Sequence, residues 1–287
     1  MVVDQQLEGG AWPAGLDPTS AVISGALGKS YRSIWISDLH LGTRACKADT
    51  LLDFLRCHES ENLYLVGDIV DGWSLGPSWY WSAAQTEVVK EISLRHRRGA
   101  RVVFIPGNHD ELHLELVETL FGQIPIVPEL VHRTAEGCRM LVIHGHQFDT
   151  SMSSARWLSA IGSQAYAIAL RIDQWHKNEC SKFGSRSFTS YLKRPVTKAV
   201  QYFTGTEVDE RAVFERARRH NADGVICGHT HRVGQHLIGP LWYINDGDWV
   251  QSCTALLEDY SGALRLLRWS GMPSRLPEAG YLSCEEA

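Results

Sequence analysis

Short apolar runs, each stopped abruptly by polar residues, set the pattern of this chain. Residues 33–37 (SIWIS), 63–67 (LYLVG), 100–105 (ARVVFI), 140–143 (MLVI) and 225–227 (VIC) are rich in β-branched and aromatic side chains. They are too short for helices, so each predicts a buried strand. Between the first two, residues 47–58 set Leu51, Leu52, Phe54 and Leu55 at helical spacing. Residues 79–98 predict a second helix, closed by basic residues and Gly99 as a helix C-terminus is. Strand, helix, strand, helix, strand predicts βαβ units in an α/β fold. A further helix is expected near Glu111 and another over residues 207–220, with a Thr-x-x-Asp cap signature at Thr206. Residues 241–244 and 263–269 read as strands completing a second sheet.

Composition narrows the class. The 287 residues, 44% of them hydrophobic, suffice for a full core, as one large α/β domain or two small ones. A net charge of −5 and a pI near 6.2 argue against a generally basic nucleic-acid binder, and no nucleic-acid partner is expected. The seven cysteines are scattered and form no CxxC pair, which points to free thiols in a reducing cytoplasm. No apolar run reaches the roughly 20 residues of a membrane span. Residues 1–30 lack the basic and apolar stretches of a signal peptide and are expected to form a loose extension, and residues 271–287 a loop-rich tail.

The residues that stop the strands share a chemistry. Asp38 and His40 follow the first; two apart, they share a face in extended backbone. Asp68 follows the second, and because a carboxylate has two oxygens it is the candidate bridge of a two-metal centre. Asn108, His109 and Asp110 follow the third, His144 and His146 the fourth, His229 and His231 the fifth. Any one of these alone reads more simply as a turn or a helix cap. Six of the 13 histidines at the ends of four predicted strands do not. Oxygen and imidazole donors without thiolate suit Mn²⁺, Fe, Zn²⁺ or Co²⁺ better than an oxygen-only Mg²⁺ cage.

The ordered set DLH, GD, GNHD, HGH and GHTH, spread over residues 34–249, resembles the calcineurin-like metallophosphoesterase superfamily. The resemblance implies a sandwich of two mixed β-sheets flanked by helices, holding two divalent ions, Mn²⁺ first among the candidates. One ion would be held by Asp38, His40 and His231, the other by Asn108, His144 and His229, with Asp68 bridging; a water shared between them would lose its proton and attack phosphorus in line. His109 would not be a ligand but would steady the transferred phosphoryl group or protonate the leaving oxygen, with Asp110 fixing its tautomer. Asn108 would touch substrate as well as metal. Asp246 and Asp248 in NDGDW are expected to orient a ligating histidine or to form a turn. LVGDIVDGW, NDGDW and the long stretch between HGH and GHTH look like the UDP-2,3-diacylglucosamine diphosphatase branch, which cleaves a diphosphate in lipid A assembly. One position departs: members of that branch commonly carry arginine where this chain has His109.

The stretch between HGH and GHTH, residues 151–207, predicts a helical lid inserted in a domain of residues 31–270. Trp157, Leu158, Ile161, Ala165, Ile168 and Ile172 recur at helical spacing over residues 155–175, and the insertion carries eight Lys or Arg against three acids. Lys193 or Lys198 would hold an anionic head group, and the apolar stripe would meet acyl chains or a membrane surface; a helix packed on the core with a solvated basic face stays open. The sequence is thus read as a cytoplasmic phosphoester hydrolase, peripheral at the inner membrane surface, for a diphosphate or phosphodiester of a lipid-linked or nucleotide-sugar substrate. A soluble nucleotide phosphodiesterase or phosphomonoesterase is the alternative, and a non-catalytic protein-binding scaffold a third. The oligomeric state leaves no signature in the sequence.

Overall fold

The computed structural model describes residues 23–24, 30–149 and 208–270. Most of the N-terminal extension, the expected lid with Lys193 and Lys198, Thr206 and the C-terminal tail lie outside the described residues. The chain divides into two compact units, His146–Val213 and the remainder.

The larger unit contains two sheets. Strands β1 (Ile23–Ser24), β2 (Ser30–Ile36), β3 (Glu59–Val66), β4 (Arg101–Ile105), β10 (Thr254–Glu258) and β11 (Leu264–Arg268) form the first, in the order β1-β11-β10-β2-β3-β4. Strands β5 (Leu130–Arg133), β6 (Arg139–Val142), β7 (Gly224–Cys227), β8 (Gly234–Ile238) and β9 (Leu241–Asn245) form the second, in the order β5-β6-β7-β9-β8. β2, β3 and β4 run parallel, as do β6, β7 and β9. Each sheet therefore ends its parallel strands on one edge, which is where the polar residues follow.

The period of two explains why the strand runs are apolar throughout. Ile34, Ile36, Leu63, Leu65, Val102 and Phe104 pack with helices α1 (Ala48–Cys57), α2 (Ala83–Arg97) and α3 (Leu114–Phe121), through Leu51, Phe54, Val88, Ile92 and Val117. Trp35, Tyr64, Val66, Val103 and Ile105 point the other way and meet Met140, Val142, Ile226 and Ile244 of the second sheet. A strand covered on both faces has no polar side to show. Each fully buried Leu, Ile or Phe contributes about 1.5–3 kcal/mol. Ser82 caps α2 by accepting from the Gln85 amide (3.2 Å), and Arg95 near its end donates to the carbonyls of Leu55 and His58, tying α2 to the end of α1.

Three expectations need correction. The strand in residues 263–269 belongs to the first sheet, because β10 inserts beside β2 and β11 folds back antiparallel onto β10. The helix expected near Glu111 begins as a 3₁₀ turn, Glu111–His113, and becomes α3 only at Leu114. Helix α4 (Glu210–Arg219) starts after Asp209, whose Oδ1 accepts from the amides of Arg211 (3.0 Å) and Ala212 (3.2 Å) and so fills the cap role. In the smaller unit a 3₁₀ turn, His146–Phe148, leads to a bridge between Asp149 and Val208.

Away from the parallel-strand ends, Glu258 of β10 ties the two sheets together. Its Oε1 accepts from Arg32 (2.6 Å) and the Ala135 amide (2.8 Å); its Oε2 accepts from Ser33 Oγ (2.6 Å) and lies 2.9 Å from His132 Nε2 on β5. Burial pushes the Glu258 pKa up, but the hydrogen bonds from His132 and Ser33 outweigh it, and the net direction is down from 4.5. A lowered carboxylate pKa stabilises the fold above the unfolded value and loses that contribution as pH falls through the folded one. Glu258→Gln is therefore expected to cost about 3 kcal/mol at pH 7, with the gap to the parent closing below about pH 4.5. Urea titrations across that range check it; a gap independent of pH would contradict the role given to the charge.

Candidate metal centre

The loops beyond the parallel strands are held in an uncommon conformation. Of the seven described non-glycine residues with positive φ, five are candidate ligands: Asp38 (52°), His40 (48°), Asp68 (52°), His229 (66°) and His231 (56°). Left-handed backbone costs a residue with a Cβ about 1–3 kcal/mol, so it persists only where surrounding structure imposes it. Here the imposing structure is a ladder continuing past the strands. Asp38 N–H donates to Gly67 O (2.9 Å), His40 N–H to Asp68 O (3.0 Å), Gly228 N–H to His144 O (3.0 Å) and Asp246 N–H to Cys227 O (3.0 Å). β2 stops at Ile36, so Asp38 and His40 converge through a left-handed turn and not, as expected, from extended backbone.

Two clusters result. In the first, Asp38 Oδ2 accepts from the His229 amide (2.9 Å), while Oδ1 faces His231 Nε2 at 3.1 Å and His40 Nε2 at 4.0 Å. In the second, Asp68 Oδ1 accepts from the His109 amide (2.9 Å) while Oδ2 faces His144 Nε2 at 3.4 Å. Asp38, His40 and His231 bring one donor atom each within 4.8 Å of the others, as do Asp68, His144 and His229. Each carboxylate thus has one oxygen pinned by backbone and the other aimed at imidazoles. His144 Nδ1 lies 2.8 Å from Val66 O, and since a carbonyl only accepts, Nδ1 carries the hydrogen and Nε2 is the donor left for a cation. Asn108 Oδ1 is buried and accepts no hydrogen bond among the described residues. This donor set fits divalent ions: neutral imidazoles, carboxylates and an amide oxygen, with no thiolate.

Electrostatics reinforce the fit. Burial works against a proton on His144, but the Asp68 carboxylate outweighs it and lifts the pKa to about 10. Burial likewise opposes a charge on His40, yet Asp71, Asp68 and Asp38 raise it to about 9. Burial would raise Asp68, and the facing His144 and His109 hold it well below the carboxylate range instead. The clefts attract positive charge, and a metal binding there displaces protons.

A third group, His40, Asp71 and His109, was only half foreseen. Asp71 Oδ1 lies 3.2 Å from His109 Nδ1 and its Oδ2 3.4 Å from His40 Nδ1, so one carboxylate orients both rings. Asp71 was missed, although its place three residues after Asp68 in GDIVD was a usable signal. Asp110, expected to fix His109, does not face it. Its carboxylate accepts from the amides of Gly107 (3.0 Å), Ile69 (3.2 Å) and Val70 (2.8 Å), clamping the loop after β4 to the loop after β3. Burial, and then the Asp68 charge, push its pKa up to about 7. Asp248 does both things proposed for NDGDW: Oδ1 accepts from the Val250 amide (2.8 Å) in a turn, and Oδ2 lies 3.8 Å from His231 Nδ1. Asp246 accepts from Ser37 Oγ at 2.7 Å.

Parallel strands of two mixed sheets thus deliver Asp, Asn and His side chains to one place, the donors that a metal-dependent hydrolase uses. Residues 31–233 match the family described as calcineurin-like phosphoesterase, and the chain belongs to that family. It is similar to the UDP-2,3-diacylglucosamine hydrolase of Xanthomonas campestris pv. campestris (strain B100), at 28% identity over 80% of this chain and 96% of that one. The protein of the same name from Neisseria meningitidis serogroup A is 27% identical over 80% of this chain and 95% of its own. Among solved structures, the E. coli phosphoesterase Yfce is similar with a TM-score of 0.40 and 16% identity, covering 79% of this chain and 87% of that one.

The glycines between these residues leave no room for a side chain. A Cβ on Gly107 would stand 2.3 Å from Asp68 Oδ1 and 2.8 Å from His144 Nε2; one on Gly228 would stand 2.3 Å from Asp38 Oδ2. Gly107→Ala is therefore expected to lower affinity for Mn²⁺ at least about tenfold, the effect of disturbing a ligand's support. Calorimetric titration measures it, and unchanged affinity would show that Asp68 and His144 do not bind the ion.

Proposed function

We propose that this phosphoesterase works with two divalent ions on a diphosphate or phosphodiester of a lipid-linked or nucleotide-sugar substrate, as a UDP-2,3-diacylglucosamine diphosphatase-like enzyme. The observation that carries the two-ion reading is the pair of clusters, Asp38-His40-His231 and Asp68-His144-His229. Asp38, His40 and His231 would hold one ion; His144, His229 and Asn108 the other; Asp68 would touch both. When bound, such a pair supplies a nucleophile at neutral pH and neutralises charge on the phosphoryl oxygens. Mn²⁺ is the first choice for the ions.

The chain's own residues do the rest. Asp71 holds His109 by Nδ1, which leaves Nε2 to give a proton to the leaving oxygen. Trp73 stacks on the same ring, centroids 3.8 Å apart, and keeps water from one face of it. The shared Asp71 carboxylate links the orientation of His109 to that of His40, so the acid and the ion site are set together. The relatives' name supports the lipid-linked diphosphate. A small phosphodiester is the second reading, favoured by His109 in place of the arginine common in that branch. Lys193 and Lys198 in a basic lid would read the anionic head group, and contact with the inner membrane surface would bring the substrate in.

The test is hydrolysis by the Mn²⁺-loaded protein of UDP-2,3-diacylglucosamine and bis(p-nitrophenyl) phosphate in parallel, with a chelator control. Selective, chelator-sensitive cleavage of the lipid is expected; cleavage of the small diester alone would overturn the substrate. His109→Ala is expected to lower kcat by about 10²–10⁴ with bound metal retained, and Asp71→Asn to lower it less. An unaltered kcat in His109→Ala would remove the acid role.

A further inference from the structure

β2 stops at Ile36, and the chain runs on through Asp38 and His40, both left-handed, into a turn at Gly42 and Thr43 before α1 begins at Ala48. Strained backbone of this kind holds a ligand only as firmly as its surroundings hold the turn. On one side the Asp68 loop does so, with His40 N–H donating to Asp68 O (3.0 Å) and Leu41 N–H to Ile69 O (2.9 Å). The other side is supplied by α2. Gln85, in its first turn, is 1% exposed, and its Oε1 accepts from the Gly42 amide (3.1 Å) while its Nε2 donates to Thr43 O (2.8 Å). The Gly42 carbonyl accepts from the Tyr80 amide (2.8 Å), and the Trp79 ring fills the space beside Gly42, 2.2 Å from where a Cβ would stand. From Thr43 the restraint passes to His40, whose carbonyl accepts from the Thr43 amide (3.2 Å) and from Thr43 Oγ1 (2.8 Å).

A buried glutamine is uncommon, because its amide must find inside the protein the partners that water would give it. Val88 and Ile92 of α2 join the apolar core, whereas Gln85 spends its whole amide on two successive peptide groups of the turn. We propose that Gln85 is a positioning residue for the ion held by Asp38, His40 and His231, acting through Thr43 on the backbone of His40; this rests on the two-ion reading of the centre. The loops that carry Asn108, His144 and His229 are tied by other groups. Asp110 accepts from the Gly107 amide, and Asn245 donates to Gly228 O. Gln85 therefore governs one ion and not the other.

The experiment is calorimetric titration of the metal-free full chain with Mn²⁺. The parent is expected to bind two ions in two steps, and the step that His40→Ala weakens most belongs to the first ion. Gln85→Leu, close in volume but without either hydrogen bond, is expected to weaken that step at least about tenfold and the other by less than about twofold. Thr43→Val, which cuts only the Oγ1 link to His40 O, is expected to weaken the same step about fivefold, the loss of one hydrogen bond. Val88→Ala, on the same helix but in the core, destabilises the fold without touching the turn and is expected to leave both steps as they are. Both steps unchanged in Gln85→Leu, or both weakened alike, would overturn the positioning role while leaving the two ions standing. If Gln85→Leu does not fold, Thr43→Val decides, and an unaltered first step there overturns the role. A parent that binds a single ion would overturn the inference together with the reading it rests on.

Discussion

The site is organised around two buried carboxylates whose mutual repulsion is outweighed by the imidazoles the fold turns toward them. Asp38 and Asp68 are both buried, and each raises the other's cost of ionisation. Each has one oxygen fixed by a backbone amide, from His229 and His109 respectively, and the other turned toward imidazole nitrogens. Buried carboxylates are stable only with a proton or a cation between them and their neighbours. His144 and His40, lifted to about 10 and about 9, show how strongly these positions draw positive charge. A divalent cation answers the same demand with more charge than a proton, and the ligand geometry follows from that demand.

Holding such groups together requires a rigid frame, and the two parallel triplets β2-β3-β4 and β6-β7-β9 supply it. Both sheets spend their hydrophobic residues on a common interior, Trp35 and Tyr64 against Met140 and Ile226. The ladder that continues beyond the strands then places five residues in left-handed backbone, and tight glycines at 67, 107 and 228 admit the neighbouring side chains. The strain is local. It falls where carboxylates and imidazoles must meet, as backbone strain at functional sites does.

What could be read from the sequence, and what could not, divides along physical lines. β2, β3 and β4 were legible because a strand buried on both faces is a continuous apolar run. β10 is also buried, but Thr254 and Glu258 at its ends break the run, and β8 (GQHLI) is half exposed; neither stood out. The candidate ligands were legible as a set, since Asp, Asn and His recur at strand ends. Asp110 misled because adjacency in sequence is not contact: in the turn after β4 its side chain leaves that of His109 and takes three backbone amides. Asp71, its replacement, lies in the preceding loop and reaches His109 only through the packing of β3 beside β4. The left-handed φ values had no signal, because they fall on Asp and His and not on glycine.

The central claim is that Asp68 stands between two ions. Diffraction from crystals grown with Mn²⁺, measured at the manganese absorption edge, tests it most directly. The account requires two anomalous peaks, one among Asp38, His40 and His231 and one among Asn108, His144 and His229, with Asp68 between them. A single peak, or one seated among His40, Asp71 and His109, would contradict it.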